Sequence, residues 1–214
     1  LLIEMGEMVY KQVEDGLKCL LNLDENLAMQ VIANDSKVNQ LEIKIDEACT
    51  HILATRQPAA SDLRLILCVI KTITDVERIG DEAVKLGRNA LKIIKSEHET
   101  RQFNELKHLG EHVLSNLRQS FMAYASLNVE SAIVAMQQDK QVDEEFDNIS
   151  RLLITKMMED PREVKNALRI TWCARALERI GDHGKNVCEY VVFLVKGKDV
   201  RHASTEQIKK ALAE

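Results

Sequence analysis

The pentapeptide Glu-Arg-Ile-Gly-Asp occurs twice, at 77–81 and at 178–182, 101 residues apart in a chain of 214. Duplication of one unit explains such a repeat best, so the fold must accommodate two copies of the same building block. Each copy spaces its acids at i and i+4, which on a helix lays both carboxylates on one face. Other landmarks repeat at nearly the same offset. Pro58 and Pro161 are 103 apart, and Asp35-Ser-Lys-Val-Asn39 aligns with Asp139-Lys-Gln-Val-Asp143 at 104. A drift of three residues is what short loop deletions between equivalent helices leave behind.

The unit is helical. The chain has only two prolines and eight glycines, and no segment alternates polar and apolar residues like a strand. Apolar residues make up 45%, enough for a packed core. The spacing predicts six helices: residues 1–21, 24–56, 61–95, 101–126, 128–159 and 161–196. Gln57-Pro58-Ala59-Ala60 and Asp160-Pro161 break the chain, because proline cannot continue a helix. Ser61 or Asp62 is expected to cap the third helix, and Asn128 the fifth. Long helices with short connections favour antiparallel bundles. The expected fold is therefore all-α, two tandem three-helix bundles related by an internal repeat. The first covers 1–97 and the second 98–200, followed by a polar tail at 201–214 that frays.

Acidic rows mark both halves. Glu77 and Asp81 lie along one edge of an apolar face that includes Leu65, Val76, Ile79, Ala83 and Leu86. In the sixth helix, Leu177, Ile180, Val187, Val191 and Val195 form the apolar side, and Glu178, Asp182, Asn186 and Glu189 an oxygen-rich row. The second helix carries Asp35, Asn39, Glu42 and Asp46 on one face, the fifth Asp139, Asp143 and Asp147. A single row of this kind is ordinarily a solvated surface, and like charges at i,i+4 repel by about 0.2–0.5 kcal/mol. Four rows at corresponding places suggest more. Two facing rows would form a hard, oxygen-only site for Mg, Mn, Fe or Zn ions. Gly80 and Gly181 recur between the acids although glycine inside a helix costs about 1 kcal/mol relative to alanine. Either tight helix packing or close approach of a metal or partner accounts for them. Arg78 and Arg179 point away from the rows and read as solvated or paired with a neighbouring acid.

Other classes find little support. The net charge of −5 argues against a broad nucleic-acid surface. Apolar runs such as 190–195 fall far short of the roughly 20 residues a membrane span needs, and no signal peptide is visible. The five cysteines form no Cys-x-x-Cys and read as reduced thiols of a cytoplasmic protein. No Gly-rich phosphate loop and no nucleophile–base constellation stands out, so no catalytic residue is assigned. His108 and His112 could clip a metal at i,i+4, but a solvated face suits them better. His183 points about 100° from Asp182 and is a poor co-ligand. Met157, Met158 and Trp172 read as core or interface residues.

The stretch Arg56-Gln-Pro-Ala-Ala-Ser-Asp-Leu-Arg64, both pentapeptides, the extension of the second through Asn186 and Glu189, and Met158-Glu-Asp-Pro161 resemble the PhoU family over essentially the whole chain. The resemblance implies two tandem three-helix bundles and metal motifs of the form E/D-x-x-x-D. By position these fall on Glu77 and Asp81, Glu178 and Asp182, Asp139 and Asp143. The first-half counterpart, Asp35 and Asn39, has an amide where a second acid would stand. The resemblance further implies a cytoplasmic regulator rather than an enzyme, in the form of a homodimer. Its implied partners are the ATPase subunit of a phosphate ABC transporter and a phosphate-sensing histidine kinase, and it would repress the phosphate-starvation response when phosphate is abundant. A metal-dependent enzyme and a structural metal-buffering bundle are the alternatives from other classes.

Overall fold

Each half is built as a short helix, a long helix, a break and a second long helix. The computed structural model describes residues 1–95, 103–201, 203 and 208. The first half comprises α1 (Leu2–Asn22), α2 (Glu25–Arg56) and α3 (Ser61–Ile94). The second comprises α4 (Phe103–Ser126), α5 (Val129–Glu159) and α6 (Val164–Lys196), with a 3₁₀ turn at Pro161–Glu163 leading into α6. Within each half the three helices all pack on one another, and the halves join through α3 against α6 and α1 against α4. The expected connection at 96–100 and the start of the fourth helix at 101 lie outside the described residues.

The turns repeat as faithfully as the helices. Leu23 and Leu127 both adopt left-handed backbone, with φ of 53° and 51°. The next residue caps the following helix in each half. Asp24 accepts a hydrogen bond from the backbone N–H of Leu27 at 2.9 Å, and Asn128 accepts one from Ser131 at 2.8 Å. Such a cap stabilises a helix by typically ~1 kcal/mol. The third helix departs from expectation. Its cap position is Ala60, in a turn where Gln57 and Ala60 both have positive φ, and neither Ser61 nor Asp62 caps it. Ser61 is already helical there, so its hydroxyl lies one position too late. Asp160 accepts from the N–H of Arg162 at 3.0 Å and starts the 3₁₀ turn that Pro161 opens. Gly197 closes α6 in left-handed backbone, its N–H donating to Phe193 O at 2.9 Å.

One continuous core joins the halves. It runs through Met5, Val9 and Val13 on α1, Val38 and Ile45 on α2, and Ile73, Ile79 and Leu86 on α3. Leu106 and Val113 on α4, Val142 and Ile149 on α5, and Ile170, Leu177 and Ile180 on α6 complete it. Each fully buried leucine or isoleucine contributes ~1.5–3 kcal/mol. Leu65 and Val195, expected on the apolar faces, are 43% exposed because each sits near a helix end where its neighbours run out. Most of the tail at 201–214 lies outside the described residues. Ile208 is buried in a second cluster with Val200, Val129, Ile133 and Val192, so at that point the tail packs rather than frays.

The seam between α3 and α6 holds a polar network inside this apolar frame. Asp75 is 4% exposed. Its Oδ1 accepts from His183 Nδ1 at 2.7 Å and Asn186 Nδ2 at 3.0 Å, and its Oδ2 from the Tyr190 hydroxyl at 2.7 Å. Burial alone would raise its pKa, but the three donors hold the carboxyl below the ordinary aspartate range. A second link uses Glu82, which accepts from Lys85 at 2.8 Å and pairs with Arg179 Nε at 3.0 Å. Replacing Asp75 by alanine leaves His183, Asn186 and Tyr190 without their acceptor and is expected to cost about 3–5 kcal/mol in urea unfolding. Glu82→Gln, whose cationic partners are half exposed, should cost about 1 kcal/mol or less.

Candidate metal centre

Helix register brings the acidic rows of neighbouring helices face to face. In the second half, Asp139 and Asp143 lie one turn apart on α5 and Asp182 meets them from α6. Each offers an oxygen within 4.8 Å of the others. Asp139 is 1% exposed, while Asp143 lies toward solvent. The Lys185 ammonium stands 3.2 Å from Asp139 Oδ2, but without hydrogen-bond geometry, so both oxygens of this buried carboxylate lack a hydrogen bond. An unsatisfied buried carboxylate is costly. Burial pushes Asp139 up to about 6 against the pull of Lys185, and Asp143 and Asp182 add to the rise. Asp143 is raised by burial and by Asp182.

Glu178 does not complete this triad. Its Oε1 accepts from Arg175 Nη1 at 2.6 Å, while Oε2 is buried without a partner. Burial and the neighbouring Asp182 push it up to about 7. It remains in the field of Asp139 and Asp143, one helical turn from Asp182. Asn186 and Glu189 leave the expected oxygen row altogether. Asn186 turns to Asp75, and Glu189 is buried, with its pKa raised by burial to about 7 despite the nearby Lys185.

The first half shows a looser version of the same arrangement. Asp35 and Asn39 on α2 approach Glu77 and Asp81 on α3. Burial raises Glu77, followed by the charges of Asp81, Glu42 and Asp35. Burial likewise raises Glu42, followed by Asp46 and Asp81. Among the described residues no three carboxylates here come as close as those of the second half. Asn39 supplies no second acid there, and its Nδ2 donates to Asp35 Oδ2 at 3.3 Å. The outer oxygens are still orphaned. Asp35 Oδ1, Asn39 Oδ1 and Gln12 Oε1 from α1 are all buried without a hydrogen-bond partner.

The two pentapeptide glycines explain the close approach. A Cβ at Gly80 would meet Gln12 Oε1 at 3.3 Å and Asp35 Oδ1 at 3.8 Å. At Gly181 it would meet Asp139 Oδ1 at 3.0 Å. Each glycine thus makes room for the carboxylate of the facing helix. Orphaned buried oxygens, an all-oxygen donor set and space cleared by glycine together fit a hard cation. Asp139, Asp143 and Asp182 could hold one, with Glu178 in reach, and Asp35, Glu77 and Asp81 with Asn39 could hold another.

Several residues play other parts. His112 Nδ1 pairs with Glu145 Oε1 at 2.5 Å and does not clip with His108. Arg179 reaches across the seam to Glu82, while Arg78 is exposed. Trp172 is 52% exposed and Met158 80%, so neither joins the core, whereas Met157 packs against it. Trp172 lines a groove with Lys85, Lys92, Arg175 and Arg179. All five cysteines are buried free thiols. The seam network on Asp75 and the buried amide Gln12 had no motif to announce them; only the apolar neighbours of Asp75 hinted that it faced inward.

A model of the PhoU domain matches residues 2–90 and 106–191, one match per half. The chain belongs to the PhoU family. It is 44% identical over 209 residues to a phosphate-specific transport system accessory protein PhoU homolog of Pseudomonas aeruginosa, covering 98% of this chain and 86% of that protein. Identity to the phosphate-specific transport system accessory protein PhoU of Escherichia coli is 43% over the same length, with the same coverage. The crystal structure of PhoU from Pseudomonas aeruginosa superposes with a TM-score of 0.89 at 45% identity, over 92% of this chain and 94% of that one. The phosphate transport system regulatory protein PhoU from Streptococcus pneumoniae superposes with a TM-score of 0.86 at 27% identity, covering 93% of each chain. The all-α fold of two repeated three-helix units and the family resemblance read from the sequence are thereby established.

Two outcomes test this geometry. Gly80→Ala should change thermal unfolding by less than about 1 kcal/mol, because the helix-propensity gain is set against shifting the Gln12 amide, which Val31 O holds at 3.2 Å. Gly181→Ala has to displace the short, buried Asp139 carboxylate and should instead destabilise by about 1 kcal/mol or more. Asp139 and Glu178 are raised well above their unfolded values of about 4, so the folded chain holds protons that the unfolded chain has released. In chelator, their contribution therefore falls as pH rises from about 4 to about 7. The Asp139→Asn, Glu178→Gln double variant should lose that part of the slope in melts across this range.

Proposed function

We propose that this chain is a regulator of phosphate uptake and homeostasis that works as an adaptor. It binds the ATPase subunit of a phosphate ABC transporter and a phosphate-sensing histidine kinase in the cytoplasm, and holds the starvation response off when phosphate is abundant. The likeness to the phosphate transport system regulatory protein PhoU of Streptococcus pneumoniae, at a TM-score of 0.86, together with the PhoU domain match in each half, carries the reading. Bundles of rigid helices suit it physically, because they offer long exposed faces while the buried seam on Asp75 holds the halves in a fixed relation.

In this reading the oxygen clusters hold Mg, Mn, Fe or Zn ions. Asp139, Asp143, Asp182 and Glu178 serve one centre, and Asp35, Asn39, Glu77 and Asp81 the other. A bound cation neutralises carboxylates that otherwise repel, and it ties α2 to α3 and α5 to α6. A homodimer of such units would present both sets of centres together.

Deleting the gene should leave a starvation-response reporter on in high phosphate, and the intact gene should restore repression. Normal repression in the deletion strain would refute the adaptor reading. Affinity capture from cells grown in high and low phosphate should recover the transporter ATPase and the kinase. A phosphatase screen of metal-loaded protein separates off the enzyme alternative. Turnover that vanishes in Asp182→Ala would favour it, whereas metal content without turnover keeps the adaptor.

A further inference from the structure

The two acidic centres are not equivalent, and one side chain makes most of the difference. At the repeat offset of 101, Lys185 on α6 corresponds to Val84 on α3. Val84 is buried, 3% exposed. Lys185 instead extends over the second-half carboxylates, with its ammonium 3.2 Å from Asp139 Oδ2 and in the field of Asp143 and Asp182. At the other offset, 104, Asp143 corresponds to Asn39. The second half thus has a carboxylate and an ammonium at two positions where the first half has an amide and a valine.

We propose that Lys185 is a tethered cation that occupies the second-half centre and must be displaced by an entering divalent ion, whereas the first-half centre is open. Four carboxylates face the second centre, Asp139, Asp143, Asp182 and Glu178, and two cations, Lys185 and Arg175, answer them. The first centre has Asp35, Glu42, Glu77 and Asp81, with neutral Gln12 and Asn39 beside them and, among the described residues, the exposed Arg78 as the cation whose charge reaches Glu77.

The geometry favours exchange rather than permanent pairing. The ammonium reaches Asp139 Oδ2 alone and leaves the buried Oδ1 beside Gly181 without a partner, so the lysine neutralises the site without satisfying it. A divalent ion carries twice the charge and takes several oxygens at once. Lys185 is 38% exposed, so its head can swing to water. Glu189, one turn further along α6 and nine-tenths buried, already feels the lysine's charge and offers the freed ammonium a partner. The first centre then loads at lower metal concentration, and the second responds only to higher concentration, moving a surface cation as it does.

This inference rests on the metal reading above, and its test separates the two. Chelator-stripped full chain is titrated with Mn²⁺ by calorimetry, and bound metal is counted after equilibrium dialysis. Wild type should show a tight class and a weak class. The Glu77→Gln, Asp81→Asn variant should retain only the weak one. Lys185→Met, which keeps the stem and removes the charge, should tighten the weak class roughly tenfold or more. It should also melt lower without metal and gain more from Mn²⁺ than wild type. A lysine with a merely structural role would lower the melting temperature without tightening binding, and that result overturns the proposal. Two equal classes in wild type, unchanged by Lys185→Met, overturn it while leaving the metal reading intact. Absence of Mn²⁺ from every variant removes both.

Discussion

Two long helices, α3 and α6, carry the recurring acids and also form the seam between the halves. Each must bury an apolar stripe against two helices of its own unit, present Glu and Asp to the facing helix, and still offer a third side to its counterpart. A helix surface has room for all three because side chains advance by about 100° per residue. In α6, consecutive residues Asp182 and His183 therefore serve different ends, one toward α5 and the other across the seam to Asp75. The same division governs α3, where Asp81 faces α2 and the next residue, Glu82, takes Arg179 from the other half. The position of the acidic clusters relative to the seam follows from this phase alone.

Charge is handled differently at the seam and at the clusters. Asp75 is buried with three donors, which satisfy both of its oxygens and fix how the helices meet. Asp139 is buried more deeply still, yet both of its oxygens lack a hydrogen bond. A folded chain tolerates such a group when something else repays the lost hydration, and an incoming cation is the ligand chemistry that does so. The contrast between these two aspartates, one held by three donors and one answered only by the Lys185 ammonium, separates structural polarity from binding polarity within a single molecule.

Much of this was legible in the residues themselves. The pentapeptide and the matching prolines disclosed the duplication, and the absence of strand periodicity together with long helix-forming runs disclosed the class. Asp24 and Asn128 were readable as helix starts because a capping side chain needs only local geometry. The cap of the third helix is not legible in this way, because positive φ at Gln57 and Ala60 leaves no residue signature. Glu178 was placed with Asp182 by spacing, but its head turns to Arg175, a rotamer choice that periodicity does not encode. Seam partners such as Asp75 and His183 are 108 residues apart, so only the packing of one half on the other brings them together. Trp172 reads by type as a core or interface residue, and its half exposure rules out the core, since α6 turns that side toward solvent.

That last residue has a use. Trp172 is the chain's single tryptophan, and it stands on α6 with the Lys92 ammonium of α3 6.0 Å from its ring centroid. Its indole is therefore a native optical probe placed across the junction of the two units, quenched or shifted by whatever alters the distance between them. Emission excited at the indole band reads that junction with no label attached, and it stays silent to changes confined to the far ends of either bundle.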